Sequence, residues 1–229
     1  MNAHTESELL ALATRLVEEA ADLIRAIRAK GFETQTKTDS SPVTEADTTA
    51  EAHILRGLRA ATPDIPVVAE EEVAAGLQTA VAPTYWLVDP LDGTREFAAG
   101  RDDFTVNIGL VRDGRAFLGA MSLPAYHQTY WGGVGLGAFR RDSRGEQAIH
   151  VRKAPAEGLS VLASRHHADD VRLAEYLNGR NIASLGNIGS AVKFVRVAEG
   201  WSIFTPALAP PWSGTPPPHR PLWKPQAVR

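Results

Sequence analysis

Apolar residues recur at helical spacing through the first thirty positions of the chain. From Leu9 to Ile27, leucine, isoleucine, valine and alanine return every three or four residues, which is the pattern of a helix that buries one face. Thr5 and Glu8 precede the run with the spacing of a capping box, and Gly31 follows it. The pattern therefore predicts one long amphipathic helix between Thr5 and Gly31.

A second helical pattern opens at Thr44 and has Ala50, Ile54 and Leu58 on its apolar side. Asp47 lies three residues after Thr44, so it fits a capping box and would also favour the positive end of the helix dipole. The same position would place an acid at a helix start near a metal-binding loop. Spacing alone leaves both roles open for Asp47.

Strand and hairpin signals fill the middle of the chain. Asp113-Gly114 is a strong hairpin signal between two apolar segments, and Gly132, Gly133 and Gly135 separate two more. An antiparallel sheet packed against the two N-terminal helices is the natural arrangement of these elements. The predicted strands are 104–111, 115–123, 127–131 and 136–140.

Two short apolar runs end directly in acidic residues. Ile65–Ala69 leads into three glutamates that begin at Glu70. Tyr85–Val88 leads into a Pro/Gly loop with Asp89 and Asp92, which we call the metal loop because its two acids could bind a cation. Such residues are also ordinary in turns and on solvated faces. Two strands of one sheet that both end in carboxylates can share a divalent cation, since Mg²⁺ prefers oxygen ligands. A loop at a strand's carboxyl end is also where α/β folds usually bind ligands.

A smaller α/β pattern begins near Ala154. It predicts strands at 159–163 and 182–185 and helices at 169–177 and 191–199. The glycine loop 186–190 leads into the last helix, and a Gly-Ser loop at a helix start can bind an anion. Lys193 would add a positive charge there. On spacing alone, a routine loop-to-helix turn is favoured over an anion site.

Composition narrows the function classes. The chain has 229 residues, of which 44% are hydrophobic, as expected for a globular core. Its net charge of -3 argues against a dedicated nucleic-acid binder, and the absence of cysteine excludes disulfides and a cysteine nucleophile. No apolar run predicts a membrane span or a signal peptide, so a cytoplasmic protein is expected.

Several motifs together resemble the inositol monophosphatase superfamily of Mg²⁺-dependent, lithium-sensitive phosphatases. The most specific is Asp89-Pro-Leu-Asp-Gly-Thr-x-Glu-Phe97, and the motifs follow the family's order through residue 200. The pieces around Ser164 and Gly189 favour the bisphosphate nucleotidase branch. The remaining motifs are 41–47, 68–71, 104–107, 164–169, 189–194 and 197–200.

The resemblance implies an α/β, or α+β, layered sandwich of helices and mixed sheets with an incomplete C-terminal unit. It implies Mg²⁺ as cofactor and a small phosphorylated nucleotide as substrate, with an oligomeric state that the sequence leaves unknown. Some relatives are described as peripheral at the inner membrane, so the resemblance also implies that location as an alternative to a purely cytoplasmic one. The metal ligands implied are Glu70, Asp89, the Leu91 carbonyl and Asp92; the catalytic residues are Asp47, Thr94 and Glu70; the substrate contacts are Gly93, Thr94, His167, Ser190 and Lys193.

The C-terminal segment departs from the family pattern. Residues 201–229 contain no Asp or Glu but eight of the fifteen prolines, whereas the family has a strand and then a Trp-Asp metal ligand. Codons can be written for residues 201–215 so that skipping two bases yields Val-Asp-Ile-Tyr-Pro-Arg-Phe-Gly-Pro-Thr-Met-Glu-Trp-Asp, which is that missing segment. We therefore hypothesise a frameshift just after Gly200.

The sequence accordingly predicts three parts: 1–153 with the metal loop, a partial α/β unit at 154–200, and an aberrant proline-rich segment at 201–229. The resemblance implies hydrolysis of 3′-phosphoadenosine 5′-phosphate, impaired by the lost Trp-Asp segment. The alternatives are an inositol-phosphate or fructose-bisphosphate phosphatase, or an inactive remnant.

Overall fold

The computed structural model describes residues 4–36, 42–77, 79–80, 82–165 and 171–202. Its helices are α1 (Glu6–Lys30), α2 (Glu45–Ala61), α3 (Glu70–Ala74), α4 (Thr94–Ala98), α5 (Val171–Leu177) and α6 (Val192–Ala198). Its strands are β1 (Thr34–Thr36), β2 (Pro42–Thr44), β3 (Val67–Ala69), β4 (Thr84–Asp92), β5 (Thr105–Arg112), β6 (Arg115–Leu123), β7 (Gln128–Gly133), β8 (Gly137–Asp142), β9 (Gly145–Ala148), β10 (Leu159–Ser164) and β11 (Ile182–Ile188).

Seven strands form the main sheet in the order β3-β4-β5-β6-β7-β8-β9. The pair β3/β4 is parallel and every other neighbouring pair is antiparallel. The predicted antiparallel sheet is therefore confirmed, with one parallel strand added at its edge. That parallel pair matters for function, because the carboxyl ends of β3 and β4 lie at the same edge of the sheet.

The two N-terminal helices pack against this sheet, α1 over β5 to β7 and α2 over β4. Both begin with the predicted capping boxes, at Thr5 and at Thr44. Their apolar faces share one core with the strands, in which Leu16, Ile54 and Trp86 are almost completely buried. Gly57 allows the helices to approach closely, because a Cβ there would lie 2.4 Å from a methyl carbon of Leu16.

The second unit is smaller. Strands β10 and β11 pair in parallel, and α6 packs near β10. A separate apolar cluster joins α6 to the main sheet through Val192, Val195, Leu123 and Tyr130. The predicted layered α/β arrangement of helices and mixed sheets is thus confirmed. The predicted domain boundaries remain predictions, and residues 203–229 lie outside the described residues.

Local boundaries differ from the sequence predictions in informative ways. Strand β4 continues to Asp92 instead of ending at Val88, and β11 continues through the predicted glycine loop to Ile188. The short helix α4 occupies a segment predicted as a loop, and neither α3 nor β9 was predicted. These elements are short or fully exposed, so they carry no hydrophobic periodicity that could indicate them.

Candidate active site

Glu70 and Asp89 occupy equivalent places on neighbouring strands. Ala69 of β3 pairs with Val88 of β4 in parallel register, and the next residue along the chain is an acid in both cases: Glu70, which begins α3, and Asp89 of β4. Neighbouring strands lie about 4.8 Å apart. The two acidic strand ends therefore lie next to each other at one edge of the sheet, and the Glu70 carboxyl is one of the groups that raise the pKa of Asp89.

An irregularity in β4 brings Asp92 to the same side as Asp89. Asp89 pairs with Asn107 and Asp92 with Thr105, so two residues of β4, Pro90 and Leu91, stand opposite a single residue of β5. In a regular strand, residues three apart face opposite sides of the sheet. Because this β-bulge adds one residue to β4, Asp89 and Asp92 pair with residues that are only two apart on β5. The two aspartates therefore face the same side of the sheet.

The chain then turns sharply at Gly93. Its φ of +96° lies in the left-handed region, and a Cβ there would stand 2.8 Å from the Asp103 carbonyl oxygen and 3.0 Å from Ser190 Cβ. Glycine alone fits such a close approach without strain. The turn starts α4, which is anchored by the ring of Phe97 stacked on Phe32 with centroids 4.4 Å apart.

Asp47 completes the capping box of α2 and also contacts Thr94, just after the loop with Asp89 and Asp92. Its Oδ2 accepts hydrogen bonds from the Thr44 backbone N–H at 2.8 Å and from the Thr44 hydroxyl at 2.7 Å. Its Oδ1 lies 2.9 Å from Thr94 Oγ1. The Thr94 hydroxyl is also 3.0 Å from the Leu91 carbonyl oxygen, so its single proton has two acceptors within reach. Asp47 is almost fully buried, with 1% exposed.

The acidic cluster is electrostatically unfavourable without a cation. Burial, followed by repulsion from Asp92 and Glu70, raises the pKa of Asp89 well above its ordinary value. Burial also raises the pKa of Asp92, opposed by the positive charge of Lys193 and the Ala191 N–H. Asp89 Oδ1 is enclosed and accepts no hydrogen bond from any of the described residues. A buried acceptor without a donor, among like charges, suits a hard divalent cation with oxygen ligands.

Among the described residues, no group of three Asp, Glu or His side chains is already arranged to hold a metal ion. The ligand set of Glu70, Asp89, the Leu91 carbonyl and Asp92 therefore remains a prediction. The structure places Glu70 and Asp89 at adjacent strand ends, and the charge of Asp92 repels both of their carboxyl groups.

The glycine loop of the second unit reaches this cluster. The Ala191 N–H donates to Asp92 Oδ2, and Ser190 lies against Gly93. Lys193 Nζ donates to the Ser190 carbonyl, and burial lowers the pKa of Lys193, although Asp92 and Glu96 favour its charged form. Ser190 and Lys193 are thus beside the metal loop. His167, the third predicted contact from this unit, lies outside the described residues.

Three charged residues beside the site were not singled out from the sequence. Glu96 is 2% exposed and lies against Gly189, where an added Cβ would stand 2.8 Å from Glu96 Cδ. Arg165 forms an ion pair with Asp103, whose other oxygen accepts a hydrogen bond from Tyr126 at 3.0 Å. Glu96 belongs to the most specific motif, at 89–97, and this membership could have marked it as a candidate site residue. Arg165 belongs to the motif at 164–169, whereas Asp103 lies outside every motif and carries no local pattern.

Comparison with known proteins places the chain among proteins with related sequences and folds. The family model described as the inositol monophosphatase family matches residues 5–209. The 3′(2′),5′-bisphosphate nucleotidase CysQ of Salmonella typhimurium is 40% identical over 198 residues, which cover 86% of this chain and 79% of that protein. The protein of the same name from Escherichia coli strain K12 is 38% identical with the same coverage.

Solved structures agree with this assignment. CysQ from Bacteroides thetaiotaomicron, described as a bacterial member of the inositol monophosphatase family, superposes with a TM-score of 0.69 at 27% identity, covering 88% of this chain and 79% of that one. Mycobacterium tuberculosis SuhB gives a TM-score of 0.70 at 26% identity, covering 87% and 77%. By sequence and by fold, the chain belongs to the inositol monophosphatase family.

Proposed function

We propose that this chain is a Mg²⁺-dependent phosphatase that hydrolyses 3′-phosphoadenosine 5′-phosphate to AMP and phosphate, as a 3′(2′),5′-bisphosphate nucleotidase. The observation that carries the proposal is the Asp47–Thr94 hydrogen bond beside the acidic ends of β3 and β4. The identity of about 40% to proteins named as this nucleotidase supports the substrate class.

The residues that would hold the cation are Glu70, Asp89, the Leu91 carbonyl and Asp92. Their oxygens match the preference of Mg²⁺, and the unpaired Asp89 Oδ1 supports this choice. When bound, Mg²⁺ supplies positive charge that makes water more acidic and stabilises the leaving ester oxygen.

Asp47 and Thr94 would move the proton of the attacking water. The Thr94 hydroxyl donates to Asp47 Oδ1, which leaves the Thr94 oxygen able to accept a proton from water. The water oxygen forms a bond to phosphorus while the bond from phosphorus to the 3′ oxygen breaks. The water proton passes through Thr94 to Asp47, with Glu70 assisting, and the 3′ oxygen leaves with the electron pair and takes a proton from solvent.

The turn that follows would bind the substrate. Backbone N–H groups of Gly93 and Thr94, at the start of α4, would bind the reacting phosphate. Ser190, Lys193 and His167 would contact the other phosphate or the sugar. The contacts of Ser190 with Gly93 and of Ala191 with Asp92 support this assignment, because they bring the second unit against the metal loop.

The C-terminal segment argues for reduced activity in the chain as written. Residues 201–229 contain no carboxylate side chain that could replace the family's Trp-Asp ligand. The codons of the next residues also support the frameshift hypothesis. Translated in the same shifted frame, they permit Thr-Ala-Ala directly after Trp-Asp, in agreement with the family's Trp-Asp-x-Ala-Ala. Sequencing the gene across codons 195–215 tests it, and codons that forbid the shifted translation would end the hypothesis.

The direct test measures phosphate release from 3′-phosphoadenosine 5′-phosphate with Mg²⁺, with and without Li⁺. We expect slow, Mg²⁺-dependent and Li⁺-inhibited hydrolysis, and an increase of several orders of magnitude in a chain whose frame is shifted after Gly200. Equal rates for the two chains would show that the tail ligand is dispensable. No hydrolysis by either chain would refute the proposed function.

Two alternatives are tested alongside. Values of kcat/KM for inositol 1-phosphate and fructose 1,6-bisphosphate would rank these substrates against the nucleotide. A folded chain that binds Mg²⁺ but hydrolyses none of the three would be an inactive remnant, an outcome favoured by the missing tail carboxylate. No helix in the described ranges could cross a membrane, and the cytoplasmic location and peripheral membrane association remain predictions.

A further inference from the structure

Glu51 is a buried acid that the proposed reaction does not use. It lies on α2, four residues after Asp47, and is only 4% exposed. Residues four apart on a helix share one side, so one stretch of α2 presents both acids toward the strand ends. Asp47 contacts Thr94, whereas Glu51 contacts the start of α3.

The carboxylate of Glu51 holds the first turn of α3. Its Oε2 accepts a hydrogen bond from the Glu71 backbone N–H at 2.8 Å, and its Oε1 accepts one from the Glu72 N–H at 3.0 Å. The N-cap position of α3 is Ala69, which offers no side-chain hydrogen bond. Glu51 therefore supplies from another helix the acceptors that a short helix start needs.

This arrangement is costly for stability alone. Burial raises the pKa of Glu51 to about 7, and repulsion from Glu71 and Glu72 adds to the effect, although the two N–H donors oppose it. An apolar side chain at such a place is often neutral or stabilising. The two hydrogen bonds point to a role in placing the first turn of α3, whose first residue is Glu70.

We propose that Glu51 is a positioning residue that fixes Glu70 for cation binding by holding the adjacent backbone N–H groups of α3. The proposal rests on the proposed function, since it takes Glu70 as a Mg²⁺ ligand. Helix α2 then sets two parts of the site at once, the proton acceptor Asp47 and the orientation of Glu70.

Mg²⁺ titration calorimetry on the full chain tests this role without requiring turnover. Glu51→Ala removes both acceptors, and we expect the Kd for Mg²⁺ to rise about tenfold or more. Glu51→Gln keeps the size and one carbonyl acceptor, so its Kd should lie between the two. Glu19→Gln is the matched control, because Glu19 also bonds a side chain of α2, His53 at 2.8 Å, but away from α3; its Kd should equal the wild-type value.

Amide hydrogen exchange in the metal-free protein supplies the second measurement. The Glu71 and Glu72 amides should exchange faster in Glu51→Ala than in the wild type, with exchange in the main sheet unchanged. A lower Tm with unchanged Mg²⁺ affinity in both Glu51 variants would show a merely structural role and overturn the proposal.

The remaining outcomes separate the two proposals. A wild-type chain that binds Mg²⁺ and hydrolyses the nucleotide, with Glu51 variants that bind Mg²⁺ equally well, would refute the positioning role alone. A folded wild-type chain that binds no Mg²⁺ would refute both. If Glu51→Ala does not fold, the isosteric Glu51→Gln decides by the same comparison.

Discussion

The two sides of the candidate site are supported very differently. The metal loop extends from β4, a strand inside a seven-stranded sheet. Trp86 and Val88 on this strand and Phe97 on α4, which follows the loop, are completely buried. The loop with Ser190 follows β11, which belongs to a two-stranded sheet, and Leu185 on that strand is 51% exposed. The first side is held by a core, whereas the second depends on a few polar contacts and a small apolar cluster. Substitutions on the first side should alter the rate of hydrolysis and metal binding. Substitutions on the second side should alter the packing of the second unit on the main sheet and the stability of the fold.

The largest effect is expected from Asp47→Asn, best measured in the frame-restored chain. Asparagine keeps a side-chain oxygen that can accept the hydrogen bond from the Thr44 N–H in the capping box, but it accepts a proton poorly, so kcat should fall about 10²- to 10⁴-fold while Tm changes little. Glu45→Gln, at the exposed start of the same helix, is the control and should retain full activity. Normal activity in Asp47→Asn would leave Asp47 with a capping role only.

Asp89→Asn should weaken cation binding while relieving repulsion. Removing one of the clustered carboxylates lowers the electrostatic cost of the metal-free fold, so we expect its Tm to rise by a few degrees, equivalent to about 1 kcal/mol in a domain of this size. The increase in Tm on adding Mg²⁺ should disappear. Asp64→Asn on the exposed surface should leave both quantities unchanged, and a Mg²⁺ response that persists in Asp89→Asn would contradict the ligand assignment.

Gly93→Ala tests the place where the two sides meet. The left-handed backbone alone costs about 1–2 kcal/mol for a residue with a Cβ, and the overlap with Asp103 and Ser190 should add to it. Gly76→Ala is a matched control, since Gly76 has φ of +84° and no atom within 4 Å of an added Cβ. Urea unfolding should therefore show a larger loss for Gly93→Ala, and equal losses would mean that the close approach has no energetic weight.

The smallest effect concerns the polar contacts that hold α6 to the main sheet. Glu199 accepts hydrogen bonds from Arg140 and Arg196, each at 2.8 Å, and from Tyr130 at 3.0 Å. Burial opposes the charge of Glu199, but these donors outweigh it and lower its pKa below the ordinary value of 4.5. Glu199→Gln should lose about 1 kcal/mol of stability at pH 7, because a neutral acceptor makes weaker bonds.

The pH dependence of that loss has a defined sign. A carboxyl group whose pKa is lowered by folding stabilises the fold above its unfolded pKa, and this contribution is lost as the pH falls through the folded pKa. The difference in Tm between wild type and Glu199→Gln should thus be constant near neutrality and shrink below pH 4.5. Glu146→Gln, which removes an exposed partner of Arg141, should show no such trend.

The sequence could predict elements that carry a repeating apolar pattern and contacts that depend on local spacing. Helices α1 and α2, with their capping boxes at Thr5 and Thr44, follow from residues close along the chain. The short helices α3 and α4 depend on partners from distant segments, such as Glu51 for α3, which no local pattern reports. The roles of individual site residues came from family resemblance, and the contacts of Glu96 and Arg165 required the folded structure.

Asp89 and Asp92 face the same side of the sheet because, at the bulge of Pro90 and Leu91, β4 has one residue more than β5. If one residue were inserted in β5 between Thr105 and Asn107, β4 could pair regularly with β5, and Asp89 and Asp92 would project from opposite faces of the sheet. Both aspartates, the glycine turn and the threonine would still be present in the chain. A search for the motif that begins at Asp89 would accept such a sequence, although its acidic groups could no longer meet around one ion. Whether the acids of the motif can meet is thus decided by the residue count of both strands, and the motif alone is not sufficient.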